Sequence, residues 1–126
     1  MLTMNDDLEG ALQVYLVLLD EEAYFEAHEV LEEAWHPLRL KGHPLKNLVK
    51  ALINAAVSFE HLKRNKRDAG RKALRVMESY ERHKGVYRDD IEFARLFKQA
   101  CEKVETLKSS HPEVFYGRGG NDVLVP

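Results

Sequence analysis

From Leu45 to Leu62 the apolar residues Leu45, Leu48, Leu52, Ala55, Phe59 and Leu62 recur at steps of three and four. A strand alternates with a period of two, so this stretch can bury one face only as an α-helix. The same rhythm returns in four other segments, and no alternating apolar–polar run interrupts it before the C-terminal tail. Leu8, Leu12, Tyr15 and Leu19 form the stripe of a first helix that starts at Asp6 or Asp7. Tyr24, Ala27, Leu31, Ala34, Trp35 and Leu38 form that of a second. Pro44 starts the third, which extends to Arg64 with a break near Asn65. Ala69, Ala73, Val76, Met77 and Tyr80 predict a fourth over 68–84, and Phe93, Phe97, Ala100, Val104 and Leu107 a fifth. Five such elements joined by short loops bury their stripes only against one another. The expectation is therefore an all-α fold, an antiparallel bundle of about five helices over residues 1–110.

Local signals place the ends of these helices. Asp20 is suited to cap the second helix, with Glu21 and Glu22 at the positive end of its dipole, and His36-Pro37 marks its end. Gly85 is a stop for the fourth helix, and Asp89 or Asp90 a cap for the fifth. Residues 111–126 differ in character. Pro112, Gly117, Gly119 and Gly120 preclude a long helix, while Val114, Phe115, Tyr116 and Leu124 are apolar enough to drape over the bundle or over a partner subunit. An irregular C-terminal tail and a homodimer are the corresponding expectations.

A length of 126 residues with 44% hydrophobic and 32% charged composition suits one compact domain. The longest apolar window, Ala11 to Leu19, is too short to cross a bilayer, and the acidic start lacks a signal peptide's basic region, so no membrane association and a cytoplasmic location are expected. The lone Cys101 builds neither a disulfide nor a cysteine zinc site. The net charge of −2 gives no overall attraction to nucleic acid. Locally, Arg64, Arg67, Arg71 and Arg75 share a helix face within a basic run over 63–75, which is a candidate phosphate track. Glu21, Glu22, Glu26, Glu29, Glu32 and Glu33 form an opposing acidic run.

Within YFEAHEVLEEAWH, residues 24–36, two histidines and four glutamates lie among aromatic residues. His28 and Glu32, four apart, share one border of the core face. On the third helix Asn54, Ser58 and His61 form a polar line opposite the main apolar stripe. With the two helices antiparallel, His61 comes to the end that holds His28. His28, Glu32 and His61 are then candidate ligands for zinc or iron, with Glu29 as a catalytic base on a metal-bound water and Asn54 and Ser58 as supporting polar groups. The same residues also make a self-satisfied hydrogen-bond network, a purely structural role. His28-Glu29-Val30-Leu31-Glu32 has the H-E-x-x spacing of helical zinc proteases but closes on Glu. Glu33-Ala34-Trp35-His36 is one E-x-x-H half-motif without a second copy.

These segments resemble a small all-helical prokaryotic family, domain of unknown function 309. Phe25, Glu26, His28, Glu29, Glu32 and Trp35 match its first segment, and Leu52, Ile53 and His61 its second. Asn54 stands where the family has Gln, Asn65-Lys66 where Gly-Asn is usual, and Ala69-Gly70 reverses the expected Gly-Ala. The family is sometimes labelled as predicted metal-dependent hydrolases. The resemblance thus implies a hydrolase-like metal site at His28, Glu29, Glu32 and His61. A non-catalytic scaffold or interaction protein is the alternative, and anion or nucleic-acid binding through the basic run a third.

Overall fold

A computed structural model describes residues 4–65 and 67–111. Among them are five α-helices: α1 (Met4–Asp20), α2 (Tyr24–Lys41), α3 (Lys46–Arg64), α4 (Ala69–His83) and α5 (Ala94–Ser109), with a 3-10 turn over Lys84–Val86. The chain is all-α, as the periodicity requires. The tail from Pro112 onward, read by sequence as irregular, lies outside the described residues.

Helix α3 is the hub, packing most extensively on α4 and then on α2, while α1 packs on α2 and α5 on α1. Its position follows from its composition. Leu48, Val49, Ala51, Leu52, Ile53, Ala55, Ala56, Ser58 and Phe59 are all buried, so its apolar surface extends well beyond one stripe. The alanines let neighbouring helices approach on two sides. Cross-helix bonds fix the directions. Ser58 meets Ala73 and Asn54 meets Ser79, so α3 descends as α4 rises, and the two are antiparallel. Tyr24 against Phe59 and Trp35 against Lys50 give the same result for α2 and α3.

The stripes read from the sequence form one continuous core, in which Tyr15, Phe59, Tyr80 and Phe97 are the largest fully buried side chains. Buried hydroxyls need partners. Tyr15 donates from α1 to the Leu52 carbonyl at 2.7 Å. Tyr80 donates from α4 to Glu105 at 2.8 Å.

Several helix ends differ from the local signals. Asp20 does not cap α2. It is the last residue of α1, its carboxylate accepts from Lys103 of α5, and α2 starts after Ala23 without a side-chain cap. Glu22 turns the chain there with φ 59°. Pro37 does not end α2, which continues through it for another turn. Gly42 ends it instead, in a left-handed conformation (φ 66°), its own N–H reaching the Arg39 carbonyl at 3.1 Å and that of His43 the Leu38 carbonyl at 2.9 Å. Asn65, also left-handed, closes α3 where expected. Gly85 sits inside the 3-10 turn rather than ending α4. Neither Asp89 nor Asp90 caps α5. Asp89 accepts from the Tyr87 hydroxyl, Asp90 pairs with Arg88, and α5 begins after Phe93. Trp35, expected in the core, is only partly buried, with the Lys50 ammonium 4.3 Å and the Arg39 guanidinium 5.2 Å from its ring.

A charged cluster links α4 to α5. Lys108, buried, donates to Glu81 and Glu105, and Lys84 bridges the same two carboxylates at 2.7 and 3.0 Å. Burial pushes both carboxyls up, but hydrogen bonds outweigh it and hold them below the usual range, from Lys108 and Lys84 at Glu81 and from Tyr80 and Lys84 at Glu105. Among the described residues no helix is long and apolar enough to cross a membrane.

Candidate functional site

Between α2 and α3 lies a pocket of about 270 Å³, lined by Phe25 and His28 from α2 and by Val57, Glu60, His61 and Arg64 from α3. Each set follows helical spacing, three apart on α2 and steps of three, four and seven on α3, so each helix presents one continuous strip to the pocket. The antiparallel packing brings the early turns of α2 to the last turns of α3. That is how imidazoles separated by over thirty positions in sequence come to share a wall.

The His28 ring has a defined orientation. Its Nδ1 lies 2.9 Å from the Phe25 carbonyl, which can only accept, so the proton sits on Nδ1. Nε2 then faces Glu32 Oε1 at 3.5 Å. A protonated ring makes an ion pair there, and a neutral ring offers a lone pair. The Phe25 ring stands 5.3 Å from His28, and the Arg64 guanidinium, which donates to Glu60, lies 5.9 Å from the Phe25 ring.

His61 is set differently. Among the described residues its ring nitrogens make no hydrogen bond. Its pKa is lowered from 6.5, first by burial, then by the positive charges of Lys72 and Arg64, against which Glu60 acts only weakly. At neutral pH this ring is uncharged and can accept a proton or a hydrogen bond.

The other residues singled out by sequence fall elsewhere. Glu32 adjoins His28 but does not line the pocket, and Glu29 is exposed. Asn54 and Ser58 face α4, where Asn54 donates to the Ser79 hydroxyl at 2.7 Å and Ser58 to the Ala73 carbonyl at 2.6 Å. They lock two helices together and are not at the pocket. Glu60 and Arg64, in contrast, do line it. Their spacing from Val57 and His61 on a single helix strip is the signal that marks them.

A metal ion needs several donors around one point. Among the described residues no group of three or more His, Cys, Asp and Glu side chains is so arranged. His28 and Glu32 offer two donors and His61 faces the same pocket, but as they stand they do not form a closed zinc or iron site.

Fold and pocket together define a small all-helical protein with a histidine-lined cleft between its second and third helices. Residues 12–73, which span most of α1, all of α2 and α3 and the first turn of α4, match the model of the family described as Domain of unknown function (DUF309). The resemblance read from the α2 and α3 motifs is thereby shown, and the matched segment contains every residue that lines the cleft. No curated protein and no solved structure matches the chain significantly.

Proposed function

We propose that the α2–α3 pocket is the functional centre and binds a small, partly apolar molecule through the His28 and His61 imidazoles. One observation carries this reading: histidines from two helices line one pocket, and one of them has no hydrogen-bond partner among the described residues. Pockets that recognise small molecules combine apolar walls with a few convergent polar groups. Phe25 and Val57 supply the walls. At about 270 Å³ the space lies just below the roughly 300–1,000 Å³ of drug-sized sites, which favours a small ligand. Neutral His61 is a suitable proton acceptor, and His28 lines the same pocket with its ring held by the Phe25 carbonyl at Nδ1 and by Glu32 beside Nε2.

The test is a fragment screen followed by two-dimensional NMR of the histidine side chains. Ligands of this site shift the His28 and His61 ring resonances together, and His61→Ala removes the binding while the helical circular dichroism is retained. Fragments that bind elsewhere, or none at all, overturn the reading.

A second reading is a hydrolase-like divalent-metal site with His28, Glu32 and His61 as ligands and Glu29 as base. It is favoured by the orientation of His28, since a metal-ligating histidine commonly donates its other ring N–H to a backbone carbonyl. It needs His61 to turn toward Nε2 of His28. Elemental analysis of protein purified without chelators, together with melting curves in zinc or ferrous iron, decides it. Retention of about one ion per chain, lost in His28→Ala, supports the metal.

A further inference from the structure

The basic run over 63–75 plays no part in the pocket beyond Arg64, and the fold concentrates its charge on one helix face. Every exposed residue of α4 is a cation: Arg71, Lys72, Arg75 and Arg82. At about 100 degrees per residue the four fall within an arc of about 100 degrees, and at about 1.5 Å per residue they span about 16 Å of helix axis. Arg67, exposed, continues the line into the loop before α4. Carboxylates offset little of this charge. Asp68 pairs with Arg71 at 3.0 Å and Glu78 is half-buried, while Arg67, Lys72, Arg75 and Arg82 make no ion pair among the described residues. Arg71 and Arg75, four apart, repel each other, so α4 gains no stability from the arrangement. On α2, which packs on another side of α3, the exposed residues of the first turns are Phe25, Glu26, Glu29 and Glu33. A chain of net charge −2 therefore presents a one-sided positive ridge.

We propose that this face of α4 docks on the phosphate backbone of duplex DNA, independently of the pocket. Charge complementarity calls for a polyanion, and three arginines among the four cations suit phosphate oxygens, which a guanidinium engages through two parallel N–H donors. The rest of the helix selects among polyanions. Its apolar residues Ala73, Met77 and Tyr80 are buried in the core, so α4 has no apolar face to sink into a lipid surface. None of its exposed residues is aromatic, so nothing on the ridge stacks on the bases of a single strand. A duplex presents closely spaced phosphates along a groove wide enough for a helix, and contacts of this kind bind without strong sequence preference. The glutamates of α2 turn the opposite charge away from the duplex and so fix which side approaches it.

Fluorescence anisotropy of the full chain with a labelled mixed-sequence duplex, the same sequence as a single strand, and phosphatidylserine vesicles tests the inference. The duplex should bind most tightly, and its log K should fall with log salt at a slope of about −3.5, the value for four phosphates. Arg75→Gln with Arg82→Gln should weaken duplex binding at least about tenfold near 0.1 M salt and reduce the slope by about two. Arg75→Lys with Arg82→Lys should retain most of the binding, and Lys41→Gln, at an exposed position on α2, should leave it unchanged. Circular dichroism confirms that each variant is folded. Absence of salt-dependent duplex binding overturns the inference. So does tighter binding to the vesicles or to the single strand, or an equal loss in Lys41→Gln.

Discussion

The Ser58 hydroxyl of α3 donates to the Ala73 carbonyl of α4 at 2.6 Å, and both residues are fully buried. This bond lies within the most extensive helix–helix contact of the molecule and fixes the register of α4 on α3 together with the Asn54–Ser79 bond one turn further along. Ser58 is one of the few polar residues in the core, and its small volume lets the two backbones approach.

Removing that hydroxyl leaves the Ala73 carbonyl with its helical donor alone. Ser58→Ala is therefore expected to lower unfolding stability by about 1 kcal/mol, the usual net value of a buried neutral hydrogen bond. Urea denaturation at pH 7 checks it through a shifted midpoint at unchanged slope. Ligand affinity at the α2–α3 pocket should stay as it was. A loss of affinity in a normally folded Ser58→Ala protein returns this residue to the site.

The polar line on α3 shows what sequence spacing conveys and what it leaves open. Periodicity correctly placed Asn54, Ser58 and His61 on one face opposite the main apolar stripe, because a helix turns about 100 degrees per residue whatever surrounds it. Which neighbour that face meets depends on how α2 and α4 flank α3, and spacing along one helix does not contain that. Asn54 and Ser58 meet α4, whereas His61, in the last turn, borders the pocket shared with α2. The approach of His28 to His61 was legible because a short connection forces antiparallel neighbours. The caps were not. Asp20 and Asp89 carry the right side chains, but Lys103, brought in from the distant α5, and Tyr87, two residues away in the same loop, claim their carboxylates.

Gly42 is the turn that aims α2 at α3. A β-carbon there would meet nothing within 4 Å, so space is not the constraint, but φ 66° lies in the left-handed region that L-residues avoid. Gly42→Ala should cost about 1 kcal/mol, and Gly42→Asn distinctly less, because asparagine tolerates this conformation. Thermal unfolding of the two variants provides the comparison. Equal melting temperatures for both would show that the turn relaxes out of the left-handed region.

The α4–α5 cluster makes stability depend on pH. Glu81 and Glu105 titrate lower in the folded chain than their ordinary 4.5, so their contribution is present above that value and fades as pH falls through the folded values. Lys84 is shifted the other way. Burial lowers its pKa, but the hydrogen bonds it donates to Glu81 and Glu105 outweigh this and raise it above 10.5, so its contribution is present below 10.5 and lost as pH rises through the folded value. The carboxylates are a third or more exposed, which weakens each pair by solvent screening. Lys108→Met should accordingly destabilise by about 1 kcal/mol at pH 7, well short of the roughly 3–5 kcal/mol for breaking a fully buried pair. The difference from the unsubstituted protein should shrink as pH falls through the folded values of the two carboxyls. Urea midpoints at about pH 7 and at successively lower pH measure it, and an undiminished difference across the acid range would assign the effect to lost packing of the lysine stem.

His61 adds a separate dependence in a milder range. Its folded pKa lies below the 6.5 of the unfolded chain, mainly through burial and then through Lys72 and Arg64. Above 6.5 neither state carries the proton, and the group has no effect on stability. As pH falls below 6.5 the unfolded chain takes up a proton that the folded site resists, so stability declines until the folded value is reached and then levels off. His61→Gln, which keeps a polar group of comparable size but does not titrate, should remove this part of the decline. The measurement is the urea midpoint of both proteins at about pH 7.5 and about pH 5, in the absence of ligand. The two should differ little in slope at the upper value, with the substituted protein losing less on going to the lower. A parallel fall in both proteins would mean that the ring titrates as it does in water, with neither burial nor the charges of Lys72 and Arg64 acting on it.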